Sequence, residues 1–269
     1  MTTQAVILAR GLGTRMRRSD GTSLDEVQRS AAESGVKGMI SVGRPFLEYV
    51  VSALADAGIE EVVLVVGPEP GPLREHFTTI APPVRTTMRF AVQEQPRGTA
   101  DALFAARDAV RAAPFLMLNA DNYYSPATLR LAAGIGDNGL VAFEADTLVR
   151  ESGIDAERVL RYALLDIAGD NLLRSIREKP SPDDELAQRP ERWVSMNLWS
   201  FTPAIFDACE RVMPSPRGEL ELQDAVSIGM RSLGMTFSVV RERAAVLDLS
   251  RRADIVDVKR RLAGIEPKP

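Results

Sequence analysis

Apolar runs of strand length recur at Ala5 to Ala9, Val62 to Val66, Phe90 to Gln93, Phe115 to Asn119 and Leu140 to Phe143, with helical spacing of apolar residues in most of the intervals. Such alternation predicts a largely parallel sheet covered by helices. The best-delimited helix follows Arg44: Pro45 suits its first position, Phe46, Val50, Val51 and Leu54 share a face, and Gly58 ends it. After about Arg150 the rhythm changes. Tyr162 to Asp166 and Leu172 to Lys179 flank a Gly169-Asp170-Asn171 turn and read as an antiparallel hairpin. Trp193 to Phe201 is a further strand, and helices are expected over Pro203 to Met213, Leu220 to Leu233 and Arg251 to Leu262. No repeat or low-complexity linker divides the chain, so residues 1–269 read as one domain with two lobes, 1–150 and 151–269. Between Arg15 and Lys37 a polar stretch looks inserted; Ser23 and Glu26 have capping-box spacing ahead of a short helix that could form a flap.

Composition narrows the classes. The 269 residues are 45% hydrophobic and 26% charged, which is ordinary for a globular enzyme. A net charge of -4 leaves no general basic excess for a nucleic-acid backbone, so no nucleic-acid partner is expected, although a few local cations can hold a small anion. The single Cys209 excludes an internal disulfide, and with His76 it cannot build a Cys/His zinc cage; both read as structural. The first residues lack the pattern of a signal peptide and no later run is long and apolar enough to span a bilayer, so the expectation is a cytoplasmic chain without a membrane partner.

The first chemical signal is VILARGLGTRM, a buried strand entering a loop with Gly11, Gly13, Thr14 and Arg15. Glycines let backbone N–H groups approach phosphate oxygens, and an arginine adds a charge-assisted contact. The loop reads as a phosphate cradle or as a purely structural tight turn. It is no dinucleotide fingerprint, because Met16 stands where G-x-G-x-x-G needs its third glycine, and it lacks the Walker pattern.

LARGLGTRM resembles the L-A-[AG]-G-x-G-T-R-[LM] signature of sugar-1-phosphate nucleotidylyltransferases, and further segments agree in order. Lys37-Gly38-Met39 with Val42-Gly43-Arg44-Pro45 is similar to the family's P-K-x-[LM]-x-P-[VL]-x-[GN]-[KR]-P stretch. QEQPRGTADA, Gln93 to Ala102, resembles the base-recognition loop, LNAD ending at Asp121 the metal-binding strand end, and Glu178-Lys179-Pro180 the E-K-P sugar-phosphate motif. The resemblance implies a doubly wound, mostly parallel mixed α/β sheet, with 1–150 mainly holding the nucleotide and a smaller antiparallel lobe in 151–269 holding the acceptor. It also implies a nucleoside triphosphate and a sugar 1-phosphate as substrates and Mg2+ as cofactor, and it is compatible with a homo-oligomer.

The site residues it implies have ordinary readings beside them. Leu8, Ala9, Arg10, Gly11, Gly13, Thr14 and Arg15 would line the nucleotide, with Arg15 and Lys37 on its phosphates. Gln93, Gly98 and Thr99 would meet the base, since an amide donates and accepts and glycine admits a planar ring, yet Gly98-Thr99 also suits a helix start. Asp121 faces the crevice at the carboxyl end of a strand, where a carboxylate suits magnesium or caps a turn. Asp248 would be the second metal ligand, but Val246 and Ser250-Arg251 replace the family's Trp and Gly-Thr, so a plain strand end fits equally. Lys179 would pair with the acceptor's phosphate and Glu178, Tyr162 and Asn197 with its sugar, although Tyr162-Ala163 and Asn197-Leu198-Trp199 depart from the family's aromatic-Gly and N-x-G. Arg10 stands where the family has Ala or Gly. Three rivals stay open: a non-catalytic nucleotide sensor, nucleotidyl transfer to phosphocholine or another phosphorylated alcohol, and an NAD-dependent oxidoreductase, for which Glu69 is the only acidic residue suitably placed after the second strand.

Overall fold

The structure, a computed structural model, describes residues 1–69 and 71–269. Its strands are β1 (Gln4–Leu8), β2 (Glu61–Val66), β3 (Thr87–Val92), β4 (Phe115–Asn119), β5 (Asn122–Tyr123), β6 (Gly139–Glu144), β7 (Ala163–Ile167), β8 (Leu173–Arg177), β9 (Trp193–Phe201), β10 (Ser238–Glu242) and β11 (Leu247–Asp248). The main sheet has nine strands with the central order β10-β6-β9-β4-β1-β2-β3. β4, β1, β2 and β3 are parallel neighbours, as are β10 and β6, while β9 runs antiparallel between β4 and β6. This is the expected mixed, mostly parallel α/β sheet.

Its two faces carry separate cores, because side chains alternate along a strand. Ala5 and Ile7 of β1 enter one cluster with Phe46, Leu54 and Leu118, and Val6 and Leu8 enter the other with Phe115, Trp199 and Phe237. Every residue of β1 is buried, which is why its sequence is an unbroken apolar run. The helix Phe46–Asp56 is buried all round from Phe46 to Leu54, more than the one-sided stripe predicts, and Pro45 sits at its N-cap rather than inside it. Glu48 is tolerated there because His76 Nε2 and Arg44 Nε lie 2.8 and 3.0 Å from its two carboxylate oxygens.

The second half of the chain is less separate than its change of rhythm suggests. β7 and β8 form the expected antiparallel hairpin, but β7 pairs with the first half of β9, and β9 and β10 complete the main sheet. β10, short and half-exposed, was not foreseen. β9 carries two extra residues where its partners change from β7 to β4, and Asn197 at that bulge has φ 62°. The inserted stretch also differs in detail: the capping box on helix Glu26–Ser34 is formed by Asp25 and Gln28, not Ser23 and Glu26. The helix does not hang free, since Arg17 donates to Ser34 O at 2.8 Å and Gly13 abuts Gly35 so closely that a Cβ on Gly13 would stand 2.3 Å from Gly35 O.

Candidate active site

The glycine loop turns at Gly13, φ 59°, into the short helix Thr14–Arg17, so its backbone passes over the carboxyl ends of β1 and β4. Beneath it opens a cleft of about 370 Å³ whose walls include Leu8 to Thr14, Lys37, Gln93, Gly98, Thr99 and Asp121. Most residues expected to hold a nucleotide thus converge on one hollow, at the strand ends where ligands bind in open parallel sheets. Arg15 lies exposed just beyond the loop, close enough to repel Lys37.

Lys37 and Asp121 meet across this cleft, Nζ to Oδ2 at 2.7 Å, each side chain 21% exposed. Burial works against the Lys37 ammonium, but Asp121 outweighs it and raises Lys37 above the ordinary lysine range. Asp121 is set by its backbone: Ala120 N–H donates to Leu8 O, and Leu249 N–H donates to Asp121 O at 2.8 Å. The second of these contacts prolongs the small β5–β11 ladder, in which Asp248 pairs with Asn122. Two carboxylates distant in sequence are so brought to one place.

Asp248 is buried and heavily bonded. Tyr162 Oη–H donates to its Oδ2 at 2.5 Å, Arg158 Nη2 lies 2.7 Å from the same oxygen, and Ser250 Oγ–H donates to its Oδ1 at 2.5 Å. Burial and the nearby Asp121 hold the Asp248 carboxyl above the usual range, against the pull of Arg158, Ser250 and Tyr162. Burial and the Asp248 charge likewise raise the Tyr162 phenol, which stays a neutral donor. Arg158 also clamps Asp254 through both of its terminal nitrogens, at 2.8 and 3.1 Å. Arg252, from the same turn, donates to Met16 O and Arg17 O and ties the loop's helix to this cluster. Sequence reading missed Arg158, Ser250 and Arg252; only their spacing around Asp248 could have signalled the last two.

The loop from Gln93 to Ala102 is built on glycine. Gly98 has φ 126°, and a Cβ there would stand 2.3 Å from Leu220 O. Leu220 N–H donates to Arg97 O at 2.7 Å, and Leu222 N–H donates to Thr99 Oγ1 at 3.0 Å, so Thr99 starts one helix and caps another. Gln93, which borders the cleft, spends its amide N–H groups on Gly98 O and Asp101 Oδ2, while its oxygen accepts no hydrogen bond from the described residues. Gly98→Ala is expected to weaken nucleotide binding about tenfold and to lower the melting temperature by several degrees, because strain of about 1–3 kcal/mol must be relieved by moving residues 97–99 or 220. Titration calorimetry and a thermal melt check both.

The remaining predicted residues lie apart. Glu178 and Lys179, the latter with φ 46°, line a neighbouring cavity of about 760 Å³ with Arg217, Glu221 and Asp224. Glu178 is exposed at the cavity's edge, where partial loss of hydration and then the adjoining Glu221 push its carboxyl up to about 7. Residues 215–221 form a shared wall, with Glu219 facing the first cleft and Glu221 the second. Asn197 reaches neither cavity, although the β4–β9 register carried onward sets it level with Asn119. Cys209 is buried and unpaired, its thiol pushed by burial up to about 12, and His76 is engaged by Glu48; both are structural, as expected.

A strand-loop-helix cradle over paired Lys and Asp side chains suits a polyphosphate, and comparison with known proteins agrees. A model of the nucleotidyl transferase family matches residues 4–263. The chain belongs to that family. This nucleotidyltransferase is 30% identical over 262 residues to the UTP–glucose-1-phosphate uridylyltransferase AglF of Haloferax volcanii, covering 96% of each chain. It is 28% identical to a glucose-1-phosphate thymidylyltransferase of Streptomyces griseus, over 83% of this chain and 56% of that one, and spans about half the length of the bifunctional GlmU proteins it also matches. Among solved structures, UDP-glucose pyrophosphorylase complexed with UDP-glucose superposes with a TM-score of 0.74 at 17% identity, covering 97% and 98% of the two chains, which establishes the shared fold. Among the described residues no helix is long and apolar enough to cross a membrane.

Proposed function

We propose that this nucleotidyltransferase transfers a nucleoside monophosphate from a nucleoside triphosphate to a sugar 1-phosphate, giving an NDP-sugar and pyrophosphate, with UTP and glucose 1-phosphate the first pair to test. The observation that carries the reading is the Lys37–Asp121 contact at 2.7 Å beneath the glycine loop, a cation and a carboxylate held where a triphosphate would lie. An oxygen of the acceptor phosphate attacks the α-phosphorus, a new P–O bond forms, and the bond to the β-phosphate breaks. The acceptor is already an anion, so no base is required and the residues act by positioning and charge.

Two carboxylates make a donor set that fits magnesium. Among the described residues Asp121, which lines the cleft, has an Oδ1 that accepts no hydrogen bond, and the buried Asp248 has an Oδ1 that accepts only from Ser250, so each keeps a lone pair that a hard cation could use. When bound, the ion supplies charge neutralisation on the phosphates. Lys37 would exchange Asp121 for a phosphate oxygen, Arg15 would reach the phosphates from beside the loop, and the Gly11–Thr14 backbone would donate N–H groups to them. Lys179 and Glu178 would seat the acceptor from the neighbouring cavity, which requires the 215–221 wall to yield as the two substrates meet. A matrix of the common nucleoside triphosphates against several sugar 1-phosphates, scored by pyrophosphate release, is expected to give turnover that needs both substrates and a divalent cation. Nucleotide binding without turnover across the whole matrix would sink the proposal.

A further inference from the structure

Carrying the strand registers one step past the sheet's upper edge aligns four positions. Leu8 pairs with Val65 and Asn119, and Val66 pairs with Val92, so Arg10 falls level with Gly67 on one side and Asp121 on the other, and Gly67 falls level with Gln93. Hydrogen bonds from Ala9 N to Val65 O, Gln93 N to Val66 O and Ala120 N to Leu8 O hold the ladder up to that row. Paired residues of parallel strands face the same side of the sheet, so Arg10, the vacant place over Gly67 and Gln93 share one face.

The Arg10 side chain uses that vacant place. A Cβ on Gly67 would stand 2.8 Å from Arg10 Nε, 3.1 Å from Cδ and 3.2 Å from Cζ, so the side chain leans across β2 toward Gln93 and away from Lys37 and Asp121. Arg10 Nε is buried without a hydrogen-bond partner, and among the described residues no carboxylate pairs with this guanidinium, although the residue lines the nucleotide cleft. A half-buried guanidinium without a protein acceptor is a costly arrangement unless a ligand completes it. Gln93, beyond Gly67, offers only an acceptor oxygen, because its N–H groups are spent.

We propose that Arg10, cradled by Gly67, is a specificity residue for the nucleobase, donating to an exocyclic carbonyl oxygen while the Gln93 oxygen accepts from an adjacent ring N–H. The inference rests on the nucleotidyl-transfer reading. It differs from a phosphate-binding role for Arg10 because the guanidinium lies on the Gln93 side of the cleft, and the phosphate-side pair of Lys37 and Asp121 lies across β1 from it. The matching chemistry is a keto base with a ring N–H, as in uracil, thymine and guanine, and Gly67 is required because any side chain there would occupy the guanidinium's place.

Dissociation constants of the full-length protein for UTP, GTP, ATP, CTP and inorganic tripolyphosphate decide the matter, measured by titration calorimetry for the parent, Arg10→Ala, Arg10→Lys and Gly67→Ala. Thermal melts establish that each variant is folded. The expected result is that Arg10→Ala weakens UTP and GTP by about tenfold or more relative to ATP and CTP and leaves tripolyphosphate nearly unchanged. Arg10→Lys, which keeps the charge and loses the planar fork, should lose most of the same discrimination. Gly67→Ala should act in the same direction and add little to Arg10→Ala in the double variant. Uniform weakening of all four nucleotides and of tripolyphosphate would make Arg10 a phosphate ligand and overturn the proposal, as would unchanged affinities in Arg10→Ala. Failure of the parent to bind any nucleotide would instead overturn the underlying nucleotidyl-transfer reading.

Discussion

Asp121→Asn is expected to cut turnover by about three orders of magnitude while leaving the protein folded. Asparagine keeps the shape of the side chain and an oxygen that Lys37 can still donate to, so the 2.7 Å contact across the cleft has a neutral replacement. The backbone contacts that place residue 121, Leu249 N–H to its carbonyl and Ala120 N–H to Leu8 O, do not depend on the side chain. Both side chains of the pair are partly exposed, so losing the charge costs about 1 kcal/mol of stability at most. What disappears is the negative charge that, on the proposed reading, holds a divalent cation. Steady-state pyrophosphate release with saturating magnesium, Mn2+ binding followed by electron paramagnetic resonance, and a thermal melt together separate the outcomes. Near-normal turnover would remove Asp121 from the metal site, and a large drop in melting temperature would make it a structural residue.

Arg158→Met is expected to be the most destabilising of these substitutions. The guanidinium is buried and faces Asp248 at 2.7 Å and Asp254 at 2.8 Å, with side-chain exposures of only 5% and 17% for the two acids. Methionine fills much of the volume but leaves both carboxylates without their cation, and breaking a buried pair from one side costs about 3–5 kcal/mol. For a chain of this size that corresponds to roughly a 10 °C fall in melting temperature. Asp254 retains the N–H groups of Ser250 and Arg251, so the turn itself persists and collapse of the whole fold is not expected. A shift within about 2 °C of the parent would mean the cluster contributes little to folding and that Asp248 is held by Tyr162 and Ser250 alone.

In residues 1–150 the strands β1, β2 and β4 are legible in the sequence because they are buried on both faces, whereas β3 is half-exposed and reads less plainly. β1, β2 and β4 therefore appear as plain apolar runs, and β4 and β9 begin and end where the pattern says. Glycine is equally readable where geometry demands it, at Gly13 and Gly98, whose missing side chains permit close backbone contacts. Strand order is not local information. Nothing within Trp193 to Phe201 says that it inserts between β4 and β6, and β10 is too short and too mixed to stand out from a loop. Capping is decided by competition among nearby polar residues, and Asp25 with Gln28 wins over Ser23 with Glu26 because its carboxylate reaches Gln28 N at 2.8 Å.

Site residues divide along the same line. Those in the glycine loop up to Thr14, and Lys37, Asp121 and Gln93 with them, follow ends of predicted elements and line one cleft, whereas Arg15 lies exposed beyond it. Arg158 looks like an ordinary solvated helix residue in AERVLRY, and only the fold brings it to Asp254, 96 positions away. Ser250-Arg251, which breaks the family's Gly-Thr pattern after the second carboxylate, has a local use: the serine hydroxyl bonds Asp248 and the two backbone N–H groups bond Asp254. The Glu178–Lys179 pair was legible as a motif but not as a location, since the 215–221 wall that sets it apart is contributed by a distant segment.

The most direct test of nucleotidyl transfer is to follow oxygen through the reaction. With UTP and a sugar 1-phosphate whose phosphate oxygens carry 18O, mass spectrometry of the products is predicted to find all of the label in the NDP-sugar and none in the pyrophosphate, with the two products formed in equal amounts. Label in the pyrophosphate, or release of phosphate without an NDP-sugar, would contradict attack of the acceptor phosphate on the α-phosphorus.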